Sequence, residues 1–282
     1  MRKYSFTTKI QKMKKLIFII PLSFLFLINC QKDSSANAQT KEIPGKVVKK
    51  AATKTNVTNN SVKTLSFAGY TWKVTDSQGD SIGPGPNIFD PNNAWVDTHG
   101  FLHLKLAKDP TDGKFHSAEV ALNQDLGYGT YQWSVEGDLG SLDKQVVFGM
   151  FNYSGNDGYD EMDIEYSKWG VQNNNNMLNY TLYPATGSAQ SSVEVVYPFS
   201  LSGTYTTQRF RRTSDSVTFK SLGGFHDDDT NLYASKTWTN PPNSISTLSM
   251  PVLMNLWCFH GIEPANGYSV EIIIHDFKFT PL

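Results

Sequence analysis

Asp160-Glu161-Met162-Asp163-Ile164-Glu165-Tyr166 alternates acidic and apolar side chains with a period of two. As a β-strand, the run turns Glu161, Asp163 and Glu165 to one face and Met162, Ile164 and Tyr166 to the other. Working outward, the same β-rich texture recurs at Tyr70–Val74, Leu102–Leu106, Tyr131–Val135, Val146–Phe148, Val193–Tyr197, Val217–Phe219 and Val270–Ile274. Turn clusters separate these runs: Gly83-Pro84-Gly85-Pro86-Asn87, Asp112-Gly113, Gly155-Asn156-Asp157-Gly158, Gly223-Gly224 and Pro241-Pro242-Asn243. No stretch sustains a 3.6-residue apolar period beyond two turns. Many short strands with regular turns predict an all-β sandwich or jelly roll over residues 65–282.

The acidic face is costly. Its neighbours lie about 6.6 Å apart at the Cα level, twice the strand rise. At an effective dielectric of about 20, two charges at that distance repel by roughly 2.5 kcal/mol. Acids are also poor strand formers. A solvated face or a cation site is one reading. The other is a reactive pair, in which mutual repulsion raises at least one pKa so that an acid and a carboxylate coexist near neutral pH. Glycoside hydrolysis needs such a pair. Glu161 and Glu165 have Cα atoms ~13 Å apart along a strand. Side chains leaning together leave the carboxyls ~5–7 Å apart, which leans towards a retaining geometry without deciding it.

The net charge of −1 conceals an asymmetry. Residues 1–64 hold thirteen Lys/Arg against Asp33 and Glu42, whereas residues 65–282 hold 12 basic and 24 acidic residues. Lys14-Lys15 precedes the apolar run Leu16–Ile28, which reads as an export signal, too short to cross a bilayer. Leu27-Ile28-Asn29-Cys30 resembles a bacterial lipobox, with Cys30 the lipidated residue and 1–30 the signal peptide; an ordinary signal peptide with a chance cysteine is the alternative. Met13 is a second candidate start. Gln31–Thr64 has no aromatic residue and is expected to be a disordered Lys/Thr/Asn-rich tether. With Gln31 after the cysteine, an outer-membrane lipid anchor is expected. The acidic 65–282 segment argues against binding nucleic acid.

Glu161-Met162-Asp163-Ile164-Glu165 resembles the catalytic signature of glycoside hydrolase family 16, the β-jelly-roll endo-β-glucanases that include lichenases and laminarinases. Ser117-Ala118-Glu119-Val120 resembles the family's Ala-Glu strand, and Leu126–Tyr131 its Tyr-Gly-x-Tyr segment. Val147–Phe151 is similar to the buried strand before the active site. Asn179-Tyr180, Met254-Asn255-Leu256-Trp257 and Ile274–Phe279 follow in the family's order. The Gly83–Asn87 loop with Trp95-Val96-Asp97 resembles a bacterial subgroup.

The resemblance implies a concanavalin A-like sandwich with a concave cleft, and a retaining endo-glycosidase cutting β-1,3 or mixed β-1,3-1,4-glucan. It makes Glu161 the nucleophile, Glu165 the general acid/base and Asp163 an auxiliary that shares a proton with Glu161. Trp257, Asn179, Tyr180 and Glu119 become candidate substrate contacts, each with core or strand packing as the alternative. No cofactor is implied for catalysis. A structural calcium is implied on the convex face, with Asp276 supplying a ligand. A monomer is expected. A glycan-binding lipoprotein without activity and a transglycosylase are the rival readings.

Two departures bear on the substrate. Val120-Ala121 stand where lichenases carry an Arg, and Phe210-Arg211-Arg212 stands where the family has Phe-x-Trp, placing a cation at a subsite or its rim. Asp227-Asp228-Asp229 lacks calcium-loop spacing and reads as a solvated turn. Cys258 reads as a buried small hydrophobe.

Overall fold

The computed structural model describes residues 62–199 and 201–282. The signal segment with Cys30, and the tether up to residue 61, lie outside the described residues. Among the described residues, the strands follow in chain order as β1 (Thr64–Phe67), β2 (Tyr70–Val74), β3 (Ile88–Phe89), β4 (Ala94–Val96) and β5 (Leu102–Lys108). Next come β6 (Phe115–Leu122), β7 (Gly129–Glu136), β8 (Val146–Tyr153), β9 (Glu161–Ser167), β10 (Asn176–Leu182) and β11 (Val193–Pro198). The last are β12 (Tyr205–Arg212), β13 (Ser216–Gly223), β14 (Leu232–Thr239), β15 (Val252–Cys258) and β16 (Val270–Pro281).

Hydrogen bonding runs in the order β11-β10-β9-β8-β15-β6-β5-β16-β7-β12-β13-β14, with β2 and β1 continuing from β6 and β4 added to β5. Every pairing is antiparallel except β3 on β6. Only Ala107↔His116 and Lys108↔Phe115 join β5 to β6, so the path folds there into two facing layers. Side chains from both layers meet in one core: Trp72 packs edge-on to Phe277 at 5.4 Å, and Tyr180 stacks on Phe219 at 5.1 Å. This is the predicted all-β jelly-roll sandwich.

Local sequence explains the layers. In β7 the buried residues Tyr131, Trp133 and Val135 alternate with partly exposed ones, as a strand covered on one face requires. In β8 nearly every residue is buried. Phe148 and Met150 join the main core, while Val147, on the other face, joins a small cluster with Phe89 and Trp257. That second cluster lies on the outer face of the β8–β9–β15 layer, where loops cover the sheet.

The structure corrects two sequence expectations. The fold starts before residue 65: Lys63 accepts a backbone bond from Val74 and donates to the Ala94 carbonyl at 2.9 Å, and Thr64 opens β1. Arg212 lies neither at a subsite nor at a rim. It points into the sandwich, fully buried, and donates to the carbonyls of Leu248 at 2.7 Å and Ser246 at 3.3 Å. Its guanidinium lies 5.9 Å from the Tyr128 ring centre. Backbone carbonyls, the Asn152 amide oxygen at 3.5 Å and a ring face hold this buried cation without an ion pair, although its Nε has no hydrogen-bond partner, and burial lowers its pKa.

Candidate active site

The β9 register sets the site. Glu161 pairs with Tyr153, Asp163 with Phe151 and Glu165 with Gly149 on β8, so all three carboxylates share the outer face. Met162, Ile164 and Tyr166, on the inner face, are fully buried. One cross-strand row runs Asn179–Glu165–Gly149–Asn255–Glu119 over β10, β9, β8, β15 and β6. A groove of about 580 Å³ opens over this face. The Gly83–Gly85 loop walls one side and Asp157 and Gly158 another, while Glu119, the three β9 carboxylates, Asn255 and Trp257 line its floor.

The groove is held by specific contacts. Asn87 ties the Gly83–Gly85 loop down, donating to Pro84 O at 2.7 Å and to Cys258 O at 2.9 Å, and accepting from Cys258 N at 3.0 Å. Gly261, at φ 67°, leaves room for that loop: a Cβ there would meet Pro86 O at 2.5 Å. Gly149 leaves room beside Glu165, since its Cβ would meet Asn255 Oδ1 at 2.6 Å. Asn255 donates to Glu119 at 3.2 Å, and Thr75 donates to the other Glu119 oxygen at 2.8 Å. Just before β9, Asp160 adopts φ 50° and accepts from the Thr186 N–H at 3.1 Å and from its hydroxyl, anchoring the strand's entry.

Electrostatics follows from burial of so many acids together. Burial pushes Glu165 up to about 8, and the charges of Glu161 and Glu194 add to the shift. Burial pushes Glu161 up to about 7; the hydrogen bond with Asp163 opposes this and Asp157 adds to it. Asp163 lies well above the ordinary carboxylate range, through burial first and then through Glu161 and Glu165. Glu119 is also raised by burial, against its bonds from Thr75 and Asn255. The Tyr183 hydroxyl, which lines the groove, is raised by burial and then by all three β9 carboxylates.

The structure gathers Glu161, Asp163, Glu165, Glu119 and Trp257 in the groove. Asn179 stands opposite Glu165, but its amide donates to Met177 O at 2.9 Å and it is not part of the groove wall. Tyr180 is corrected outright: it is fully buried between the layers, donating to Ser221 Oγ at 2.7 Å. Strand alternation allows only one of the neighbours Asn179 and Tyr180 onto the outer face. Sequence reasoning missed Asn87, Gly149, Asp157, Tyr153 and Tyr183 as parts of the site. The Gly83–Asn87 and Gly155–Gly158 turn signals contain Asn87 and Asp157, and the Val147–Phe151 segment contains Gly149, but nothing in them marks these residues as parts of a site, and no signal marks Tyr153 or Tyr183.

Asp276 is exposed at a bulge in β16, and the described residues place no set of acidic or histidine ligands around it. Carboxylate oxygens of Asp90 and Asp109 and a ring nitrogen of His116 do lie within 4.8 Å of one another, away from the groove. Cys258 is free and buried, and burial pushes its thiol up to about 12, as expected of an inert small hydrophobe.

No protein-family model matches the chain, and no curated protein does. Solved structures do match. A Bacillus licheniformis β-glucanase is 22% identical with a TM-score of 0.57, over 79% of this chain and 100% of that one. A Bacteroides ovatus mixed linkage glucan protein of glycoside hydrolase family 16, in complex with a product, is 15% identical with a TM-score of 0.54, over 74% of this chain and 94% of its own. A pseudo β-1,3-glucanase of Mycobacterium tuberculosis is 16% identical with a TM-score of 0.54, over 75% and 91% of the two chains. These likenesses establish that the chain has the fold of family 16 β-glucanases.

Proposed function

We propose that the protein is a retaining endo-glycosidase that hydrolyses β-linked polysaccharide, with β-1,3 or mixed β-1,3-1,4-glucan as the substrate class. The observation that carries this reading is the row Glu161–Asp163–Glu165 on one open strand face, where burial and mutual repulsion raise the carboxyls, Glu165 to about 8. At neutral pH Glu165 is the protonated acid. It gives its proton to the leaving glycosidic oxygen while Glu161 attacks the anomeric carbon, breaking the glycosidic bond and forming a glycosyl ester. Glu165, now a carboxylate, takes a proton from water. The resulting hydroxide attacks the anomeric carbon and releases Glu161. Asp163 stabilises Glu161 as it leaves by donating to it. The open groove, walled by loops but not roofed, suits internal cleavage of a chain, and Trp257, largely buried in the floor, is the indole available to a sugar there.

This chemistry draws on no cofactor. On the resemblance of the N-terminal segment to a lipoprotein signal, the enzyme works tethered through Cys30 to the cell envelope, at the outer membrane, as a monomer. A glycan-binding protein without activity is the rival, because one fold neighbour is described as a pseudo β-1,3-glucanase. Glu161→Ala with added azide separates the two. Rescue to a glycosyl azide of inverted anomeric configuration identifies Glu161 as the nucleophile. Binding of laminarin and lichenan by the wild-type protein with no cleavage of either would overturn the proposal.

A further inference from the structure

On the other layer of the sandwich, the outer face of β7, β12, β13 and β16 carries a groove of about 450 Å³ that the proposed cleavage does not use. Two cross-strand rows line it. One reads Lys278–Gln132–Arg209–Lys220 and the other Thr280–Thr130–Arg211–Thr218. Four of the twelve basic residues in 65–282 thus face one groove of a segment that carries 24 acids. Arg209 and Lys220 stand directly opposite each other, a like-charge pair that disfavours the sheet unless something offsets it.

Part of the offset comes from the Asp227–Asp229 loop at one end. Asp229 bridges Arg209 at 3.2 Å and Lys220 at 2.5 Å, and Asp227 reaches Lys278 at 3.4 Å. The loop sequence that reads as a solvated turn is therefore an ionic brace. Arg209 is further fixed by Gln132 at 2.7 Å and the His226 carbonyl at 2.9 Å. Arg211 is exposed, and its side chain has no hydrogen bond or ion pair among the described residues. Further along the outward side of β12, Tyr205 is 48% exposed and Phe225 39% exposed, edge to face at 5.0 Å.

We infer that this face is a second glycan-binding surface, selective for a polysaccharide strand bearing sulfate or carboxylate groups. Arg211 and Lys278 meet the anionic groups, the threonine row exchanges hydrogen bonds with sugar hydroxyls, and Tyr205 with Phe225 offers an apolar ring face to a pyranose. The recessed shape favours a single strand over a flat lipid surface, which protruding cations would suit better. The acidic surroundings work against a long, densely charged duplex. This surface is independent of the cleavage proposed for the opposite face.

Affinity electrophoresis of the full chain in gels containing dextran sulfate, alginate or uncharged dextran tests the inference. Retardation by dextran sulfate or alginate and not by dextran is expected, and which of the two retards more distinguishes sulfate from carboxylate recognition. The double variant Arg211→Glu/Lys278→Glu should lose roughly tenfold or more in affinity, and the neutral Arg211→Gln less, with circular dichroism unchanged. Glu161→Gln should bind as the wild type. The inference is overturned if neither charged polymer retards the chain or if the charge-reversed variant binds like its parent. Tighter binding of phosphatidylglycerol vesicles or duplex DNA through the same two residues would also overturn it.

Discussion

Asn87 bonds both backbone groups of Cys258, donating to its carbonyl at 2.9 Å and accepting from its N–H at 3.0 Å. The two residues are 171 positions apart, and this pair pins the loop that walls the candidate-site groove to the end of β15. Asn87→Ala leaves a buried N–H and carbonyl unpaired, at a cost of about 2–4 kcal/mol. For a domain of this size that lowers Tm by roughly 5–12 °C. Because the wall moves with the bond, KM for a soluble glucan should rise as well. A thermal scan showing an unchanged Tm would refute the clamp.

Gly149 stands between Glu165 on β9 and Asn255 on β15, and an added Cβ would come 2.6 Å from Asn255 Oδ1. Gly149→Ala must displace Asn255 from Glu119 or push on the β9 carboxylates. Overpacking of this kind costs about 1–3 kcal/mol, and displacing a substrate contact by about 1 Å lowers kcat/KM up to about 100-fold. Steady-state kinetics beside urea unfolding checks both. Full activity in a variant of unchanged stability would show that the close approach has no role.

The acidic strand β9 was legible because its period and its charge coincide: only the outer face of a strand places Glu161, Asp163 and Glu165 in one row. The sandwich was legible for the same reason at Tyr131–Val135, where apolar residues recur every second position. Tyr180 was misplaced because a motif names neighbours together, whereas a strand sends them to opposite faces. Arg212 was misplaced because a charged side chain is expected outside. The carbonyls of Ser246 and Leu248 that hold it are backbone groups, which no residue type announces. Asn87 was invisible as a clamp because its partner is distant in sequence and offers only main-chain atoms.

Tyr180 and Trp257 make a contrasting pair. Tyr180→Phe removes the buried hydroxyl that donates to Ser221 Oγ at 2.7 Å, with the Ala234 carbonyl at 3.4 Å as a second acceptor, and should cost about 1 kcal/mol of stability with kcat and KM unchanged. Trp257→Ala opens the groove floor and also uncovers Phe89 and Val147. It should raise KM for a polymeric substrate by about tenfold while destabilising the fold by about 3 kcal/mol. If Tyr180→Phe shifts KM without shifting stability, Tyr180 reaches the substrate after all.

Glu165 links stability to pH. Its carboxyl titrates at about 8 in the fold against an ordinary 4.5, and Glu161 is raised in the same direction to about 7. Between these limits the folded protein holds protons that the unfolded chain has released. Stability is therefore fully present below about pH 4.5 and falls as pH rises through 8. Glu165→Gln removes its share of that loss, so the variant should exceed the wild type by up to about 5 kcal/mol at pH 8.5 and by only about 1 kcal/mol at pH 5. Urea unfolding at the two pH values measures the difference, and parallel pH profiles for the two proteins would contradict the raised pKa. The same proton is the one the acid step spends. In the wild type, kcat/KM should therefore fall on an alkaline limb near pH 8, an apparent value shared by the three interacting carboxylates.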